Sequence, residues 1–184
     1  MRFFIALEIP DENKTELEGL QRQIKALIPK SHPTNSEKLH LTIAFIGEQP
    51  EEYKQRLTEV LAKAVDGIKA FEVTPGYLDG FPSLHNPKVI WVGIKGDVDK
   101  LFILRERIKD GLIALNLPAD ERRFIPHVAL IKVANFQLLP ELEREFERLT
   151  QKPFQPIKVT SIKLFESIPN HGLHQHNTLA EIKL

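Results

Sequence analysis

The chain has 184 residues, 42% of them apolar, and its 25 basic and 25 acidic side chains balance. That length and apolar share suffice for a real core, while the balance argues against the broad positive field of a protein that grips long nucleic acid through many phosphates; a small anion or an RNA end stays compatible. The lack of cysteine excludes disulfides, thiolate catalysis and sulfur-ligated zinc, and leaves histidine and carboxylate as the available chemistry.

No run approaches the roughly 18 uninterrupted apolar residues of a membrane span, and the opening Met1 to Leu7 meets Glu8 and Pro10 too soon for a secretory signal, so a cytoplasmic protein with no membrane partner is expected. A first strand is predicted from Arg2 to Ile9, then a helix with Asp11 as N-cap candidate, ending before Pro29, with Leu17, Leu20, Ile24, Leu27 and Ile28 at helical spacing. A polar loop from Pro29 to Lys38 contains His32 and leads into an apolar strand that opens on His40. Pro50-Glu51-Glu52 begins the next helix, whose apolar face is Leu57, Val60, Leu61 and Ala64. A strand from Phe71 to about Leu78, a turn-rich stretch over Asp79 to Pro87 and a strand from Lys88 to Ile94 follow. From Asp97 to Leu115 the pattern is helical, and Pro118 to Arg123 connects it to a second apolar strand with a histidine at its start, His127. Pro140-Glu141-Leu142-Glu143 opens a helix closing near Thr150, and two last strands are predicted over Pro156–Phe165 and Thr178–Leu184.

The two halves repeat one order: histidine strand, short polar loop, helix opened by proline and acids, then a strand beginning near a phenylalanine. His40, Pro50 and Phe71 answer to His127, Pro140 and Phe154. Such a repeat predicts an internal duplication in which the two histidines occupy equivalent positions and face each other across a groove. A lone histidine at a strand start is more often structural than catalytic; the pairing within a repeat favours function.

Side chains two apart on a strand share a face, so His40 and Thr42 project together while Leu41 and Ile43 enter the opposite layer. An imidazole with an ordinary pKa of about 6.5 exchanges protons near neutral pH, and a neighbouring hydroxyl hydrogen-bonds a phosphoryl oxygen. Two such histidines, one protonated and one neutral, make a general acid and base on opposite sides of a phosphorus undergoing in-line displacement.

His40-Leu41-Thr42-Ile43 followed by Phe45-Ile46-Gly47, and Phe124-Ile125-Pro126-His127, match a tandem motif of the form His-x-Thr/Ser-x. With the opening Arg2-Phe3-Phe4-Ile5-Ala6, the stretch from Gly80-Phe81-Pro82 to Pro87-Lys88-Val89-Ile90-Trp91-Val92-Gly93 and the closing Gly172 to Leu179 region, the chain resembles the two-histidine (2H) phosphoesterase superfamily. Within it, the resemblance is to the RNA 2′,3′-cyclic phosphodiesterases, also known as 2′-5′ RNA ligases. It implies an α+β fold: one bilobal domain over residues 1–184, in which two pseudo-symmetric antiparallel sheets form a central groove with helices on the outer faces. It also implies hydrolysis of a terminal 2′,3′-cyclic phosphate to a 2′-phosphate with no metal and no cofactor, one of His40 and His127 activating water and the other protonating the departing 3′ oxygen. RNA ends or small 2′,3′-cyclic nucleotides are the implied partners, no protein partner is implied, and a monomer is expected.

Thr42 is then expected to hold a phosphoryl oxygen. Ala129 stands where the second motif has Thr or Ser, so that half loses its hydroxyl. Lys132 and Lys88 stand where arginine is common in the family and keep the charge while giving up the bidentate fork. His176 falls at a usual tyrosine, in a region that contacts substrate, and Phe81 is a candidate base-stacking residue, whereas Trp91 in an apolar strand is expected in the core.

His171, His174 and His176 could instead be metal ligands, although no carboxylate is spaced to complete the set; a polar loop entering the last strand is preferred. His32 and His85 are expected to face solvent. Besides the cyclic phosphodiesterase, two alternatives stand. One is 2′-5′ ligation as a side activity in the reverse direction. The other is a nucleotide- or RNA-end-binding module whose turnover is weak because of Ala129.

Overall fold

Two antiparallel sheets carry the architecture of the protein, which is described over residues 1–184 by a computed structural model. The elements are β1 (Arg2–Glu8), α1 (Asp11–Leu27), β2 (His32–Pro33), β3 (His40–Glu48), α2 (Tyr53–Ala64), β4 (Phe71–Phe81), β5 (Val89–Gly96), α3 (Val98–Ala114), β6 (His127–Lys132), α4 (Pro140–Leu149), β7 (Ile157–Val159), β8 (Ser161–Asn170) and β9 (Leu173–Lys183). The first sheet has the order β3-β1-β8-β9 and the second β2-β6-β5-β4-β7.

β1 shows how the layers form. Its five inner residues, Phe3 to Leu7, are all buried, as a strand covered on both faces requires. Phe3, Ile5 and Leu7 enter the large core under the helices, while Phe4 and Ala6 join Phe165 in a small separate cluster on the other face. α2 and α3 pack together, against β8 and β3 respectively, and α1 lies against β2 and β6 with α4 beside it. The helices bury regular stripes, Leu17, Leu20 and Ile24 in α1 and Leu101, Leu104, Ile108 and Leu112 in α3. Helices thus cover the outer faces, and the inner faces border a groove in which β3 and β6 approach one another.

Several boundaries depart from the sequence expectation. Asp11 is the first residue of α1 and caps nothing with its side chain; Pro10 precedes it, and Asp11 acts only as an acid near the positive end of the helix dipole. Pro50 lies in a turn whose carbonyl accepts from Tyr53, so α2 starts later than the proline signal suggests. β4 runs through Asp79-Gly80-Phe81, because its long pairing with β5 overrides local turn chemistry. The stretch Pro156–Phe165 is two strands in different sheets; the buried alternation Ile157, Val159 slips by one residue to Ile162, Leu164 at the crossing. The last strand starts at Leu173, so the histidine run is a β-hairpin turning at His171-Gly172, both at positive φ, rather than a loop. His32 is exposed but paired in register with Lys132, and His85 is exposed in the β4–β5 connection.

Candidate active site

The two histidine strands share an irregularity. β3 skips Ile43 in its register with β1 (Ile5 opposite Ala44, Ala6 opposite Thr42), and β6 skips Leu130 in its register with β5 (Ile90 opposite Ile131, Trp91 opposite Ala129). Each bulge is the third residue after the histidine. It sends two successive residues into the core, Ile43 with Ala44 and Leu130 with Ile131, and delays the groove face by one position. Phe45 therefore follows His40 and Thr42 on the groove face, and Lys132 follows His127 and Ala129, which strict alternation would not give.

His40 is half-buried in an aromatic nest. Phe4 lies 5.2 Å from its ring, His176 is edge-on at 5.3 Å, and Phe165 is at 6.3 Å. Burial holds the imidazole down to about 4, with repulsion from His176 next; a hydrogen bond to the Lys38 backbone raises it in part, and the fields of His127 and Lys14 lower it further. The influence of His127 places the two histidines in one electrostatic environment.

His127 lies against Phe81 at 5.0 Å and Trp91 at 5.1 Å. Its Nδ1–H donates to the Ile125 carbonyl at 2.7 Å, which leaves Nε2 for the groove. Burial lowers its pKa and that hydrogen bond offsets part of the effect. The backbone two residues upstream bears on both rings: the Ile125 carbonyl accepts from His127, and the Lys38 backbone acts to raise the pKa of His40. A Cβ at Gly93, opposite His127, would lie 2.0 Å from the Tyr77 ring that packs on Trp91, so a larger residue there would displace that ring.

A cavity of about 620 Å³ opens beside the pair, with Thr42 and His127 at its edge. Lys88 and Phe81 line it, as do Phe45, Arg122, Arg123 and Phe124. Arg105 reaches it from α3, donating from Nη1 to the Ile43 carbonyl at 3.1 Å and from Nη2 to the Asp120 carbonyl at 2.7 Å. The Arg122 guanidinium grips the Asp120 carboxylate at 2.7 Å and holds it down to about 2.

Thr42, Lys88 and Phe81 thus gather with His127 around the cavity, and His176 joins His40. Lys132 is exposed on the groove face of β6, outside the cavity. Trp91 is only 2% exposed, as its setting predicts, yet it walls His127, and its indole N–H finds no acceptor. Phe4, Phe165, Phe45, Arg122 and Arg123 were not singled out from sequence. A period-two reading of β1 and β8 puts Phe4 and Phe165 on the groove face, but the arginines sit in a loop with no local signal. His171, His174 and His176 do not assemble as ligands: His174 pairs with Ser167 at 3.2 Å, and no group of three or more His, Cys, Asp or Glu side chains is placed to hold a metal ion.

Two antiparallel sheets, each offering a histidine to one groove, define a two-histidine phosphoesterase fold. The chain belongs to the 2′-5′ RNA ligase superfamily, whose family model matches residues 9–168. It is similar to the RNA 2′,3′-cyclic phosphodiesterase of Aeropyrum pernix, 29% identical over 147 residues that cover 80% of this chain and 82% of the relative. That of Methanocaldococcus jannaschii is 28% identical over 177 residues, covering 95% and 97%. Among solved structures, TT0787 of Thermus thermophilus matches with a TM-score of 0.82 at 21% identity, over 100% of this chain and 98% of that one. Escherichia coli LigT complexed with 3′-AMP matches with a TM-score of 0.77 at 20% identity, over 100% and 97%.

Proposed function

We propose that the protein is an RNA 2′,3′-cyclic phosphodiesterase that opens a terminal cyclic phosphate to a 2′-phosphate, with His40 and His127 as the proton-transfer pair. One imidazole takes a proton from water as its oxygen attacks phosphorus; the P–O3′ bond breaks, and the other imidazole gives its proton to O3′. Water's two hydrogens and one oxygen are thereby accounted for in a 2′-phosphomonoester and a free 3′-hydroxyl. Thr42 donates to a phosphoryl oxygen, and Lys88 and Lys132 supply positive charge along the groove. The observation that carries this reading is the pair of strands bulged at the same position after their histidines, His40 beside Thr42 on one and His127 on the other, facing one groove. The names of the relatives support the substrate. We also infer an internal duplication, supported by the matching orders β3-β1-β8 and β6-β5-β4; superposing these triplets should bring the His40 and His127 Cα atoms together, and a mismatch by a strand position refutes it.

The test is turnover of an oligoribonucleotide ending in a 2′,3′-cyclic phosphate, with chelator present. His40→Ala and His127→Ala should each lower the rate by at least about a hundredfold, the low end of general acid–base contributions. A variant that keeps wild-type rate removes that histidine from the chemistry, and loss of wild-type turnover on chelation makes the reaction metal-dependent. A second reading, binding with weak turnover, has one observation in its favour: Ala129 faces the groove opposite Trp91 without a hydroxyl. Its signature is a bound cyclic end with no product.

A further inference from the structure

Two buried polar side chains interrupt otherwise apolar helix stripes, and they do so at matching places. The buried order in α1 runs Leu17, Leu20, Gln21, Ile24, and in α3 it runs Leu101, Leu104, Arg105, Ile108. Spacing and placement agree residue for residue, so Gln21 and Arg105 answer to one another as His40 and His127 do. Gln21 is 4% exposed and Arg105 9%, and the proposed proton transfers use neither.

Both side chains end on the same feature of a histidine strand. Gln21 Nε2 donates to the carbonyl of Leu130 at 2.7 Å, and Arg105 Nη1 donates to that of Ile43 at 3.1 Å. Leu130 and Ile43 are the two bulge residues. A bulge leaves its extra residue out of the ladder, and a buried carbonyl there needs donors from elsewhere; at Leu130 the Thr34 N–H adds a second, at 2.9 Å. Each side chain also has a second acceptor. Gln21 reaches the Thr34 carbonyl at 2.9 Å, in the approach to His40, and Arg105 reaches the Asp120 carbonyl at 2.7 Å, in the approach to His127. The contacts therefore run crosswise, each joining the bulge of one histidine strand to the loop that leads into the other.

From this we propose that Gln21 and Arg105 are positioning residues, reciprocal braces that hold the two bulges and with them the aim of His127 and His40. The proposal rests on the phosphodiesterase reading for what the aimed imidazoles do. Asn13 supplies the comparison with a merely structural contact. It is 2% exposed on the same helix as Gln21, and its Nδ2 donates to the Gln155 and Pro156 carbonyls at 3.4 and 3.2 Å, on neither histidine strand.

The experiment starts from Gln21→Met, which keeps the length of the side chain, changes no charge and removes both donors. With adenosine 2′,3′-cyclic phosphate, kcat should fall at least about tenfold while KM stays within about twofold, because a misplaced imidazole slows the chemical step and Gln21 touches no substrate. Gln21→Asn, which withdraws the amide by one methylene, should act in the same direction and serves if the methionine variant does not fold. Asn13→Ala should lower the urea midpoint and leave kcat unchanged. The histidine Cε1–H resonances supply a readout independent of turnover: Gln21→Met should move that of His127 more than that of His40, and Arg105→Met should reverse the order. An unchanged kcat in the Gln21 variants, an equal loss of kcat in Asn13→Ala, or the same histidine leading in both resonance experiments overturns the proposal. A wild type that turns over no cyclic phosphate, with the reversed resonance order intact, overturns only the phosphodiesterase reading.

Discussion

His40 is the most perturbed group in the site, and its neighbours explain why. It packs against Phe4, itself stacked on Phe165, and meets a second imidazole, His176, edge-on. Burial and that neighbour both disfavour the charged form. Both histidines of the proposed pair are lowered, so kcat/KM, which reports the free enzyme, should peak on the acid side of about 6.5. His176→Phe keeps the ring packing and removes a repelling charge, so the His40 pKa rises and the low-pH limb moves to higher pH. An unmoved limb would mean that His176 exerts no such field. Ala129 is the other residue to probe. A missing hydrogen bond to a charged oxygen is worth about 1.5–3 kcal/mol, so Ala129→Thr should raise the rate on the order of tenfold to a hundredfold. If the rate stays level, another donor already serves. At this scale the sequence showed what carries a short motif: His40, Thr42, His127 and the gap at Ala129. Arg123 and Arg122 were silent because a loop residue's role depends on where the loop lands, which no periodicity encodes.

Among the elements, the bulges at Ile43 and Leu130 do the aiming. The insertion turns the strand so that Phe45 and Lys132 end on the groove side, and a simple period of two misses it. The first bulge is also fastened: Arg105 of α3 donates to the carbonyl of Ile43 itself and, with its other nitrogen, to Asp120 in the loop before β6. One guanidinium thus ties the first histidine strand to the approach of the second. Arg105→Ala leaves two carbonyls unmet and should cost about 2–4 kcal/mol, read as a lower urea midpoint. Hydrogen exchange should quicken in the 120–124 segment; unchanged exchange there would show that the tether is not what orders the loop. Helices and strands themselves were legible wherever burial is periodic, as in α1 and α3. The misses came where long-range pairing outweighed local propensity, in the extension of β4 and the early start of β9.

On the scale of the molecule, the sequence order disguises an exchange. β4, from the first half, pairs with β5 and β7 of the second, and β8, from the second half, pairs with β1 of the first. Likewise α1 lies against β2 and β6 while α3 lies against β3. A duplicated pattern in the chain suggests two lobes laid end to end, and pattern alone cannot reveal that each sheet is completed by the other half, since strand partners are set by burial across the whole fold.

This exchange makes the halves a clasp rather than two hinged jaws. Cutting the backbone in the mostly exposed Pro82–Asn86 stretch between β4 and β5 severs no sheet pairing, so the two pieces should stay together through gel filtration and keep a cooperative melt. Expressed apart, each would expose a raw strand edge and a stripped helix face, and separate soluble folding of either piece would contradict the clasp. The distance between the histidines is then a property of an interlocked frame, fixed before any substrate arrives.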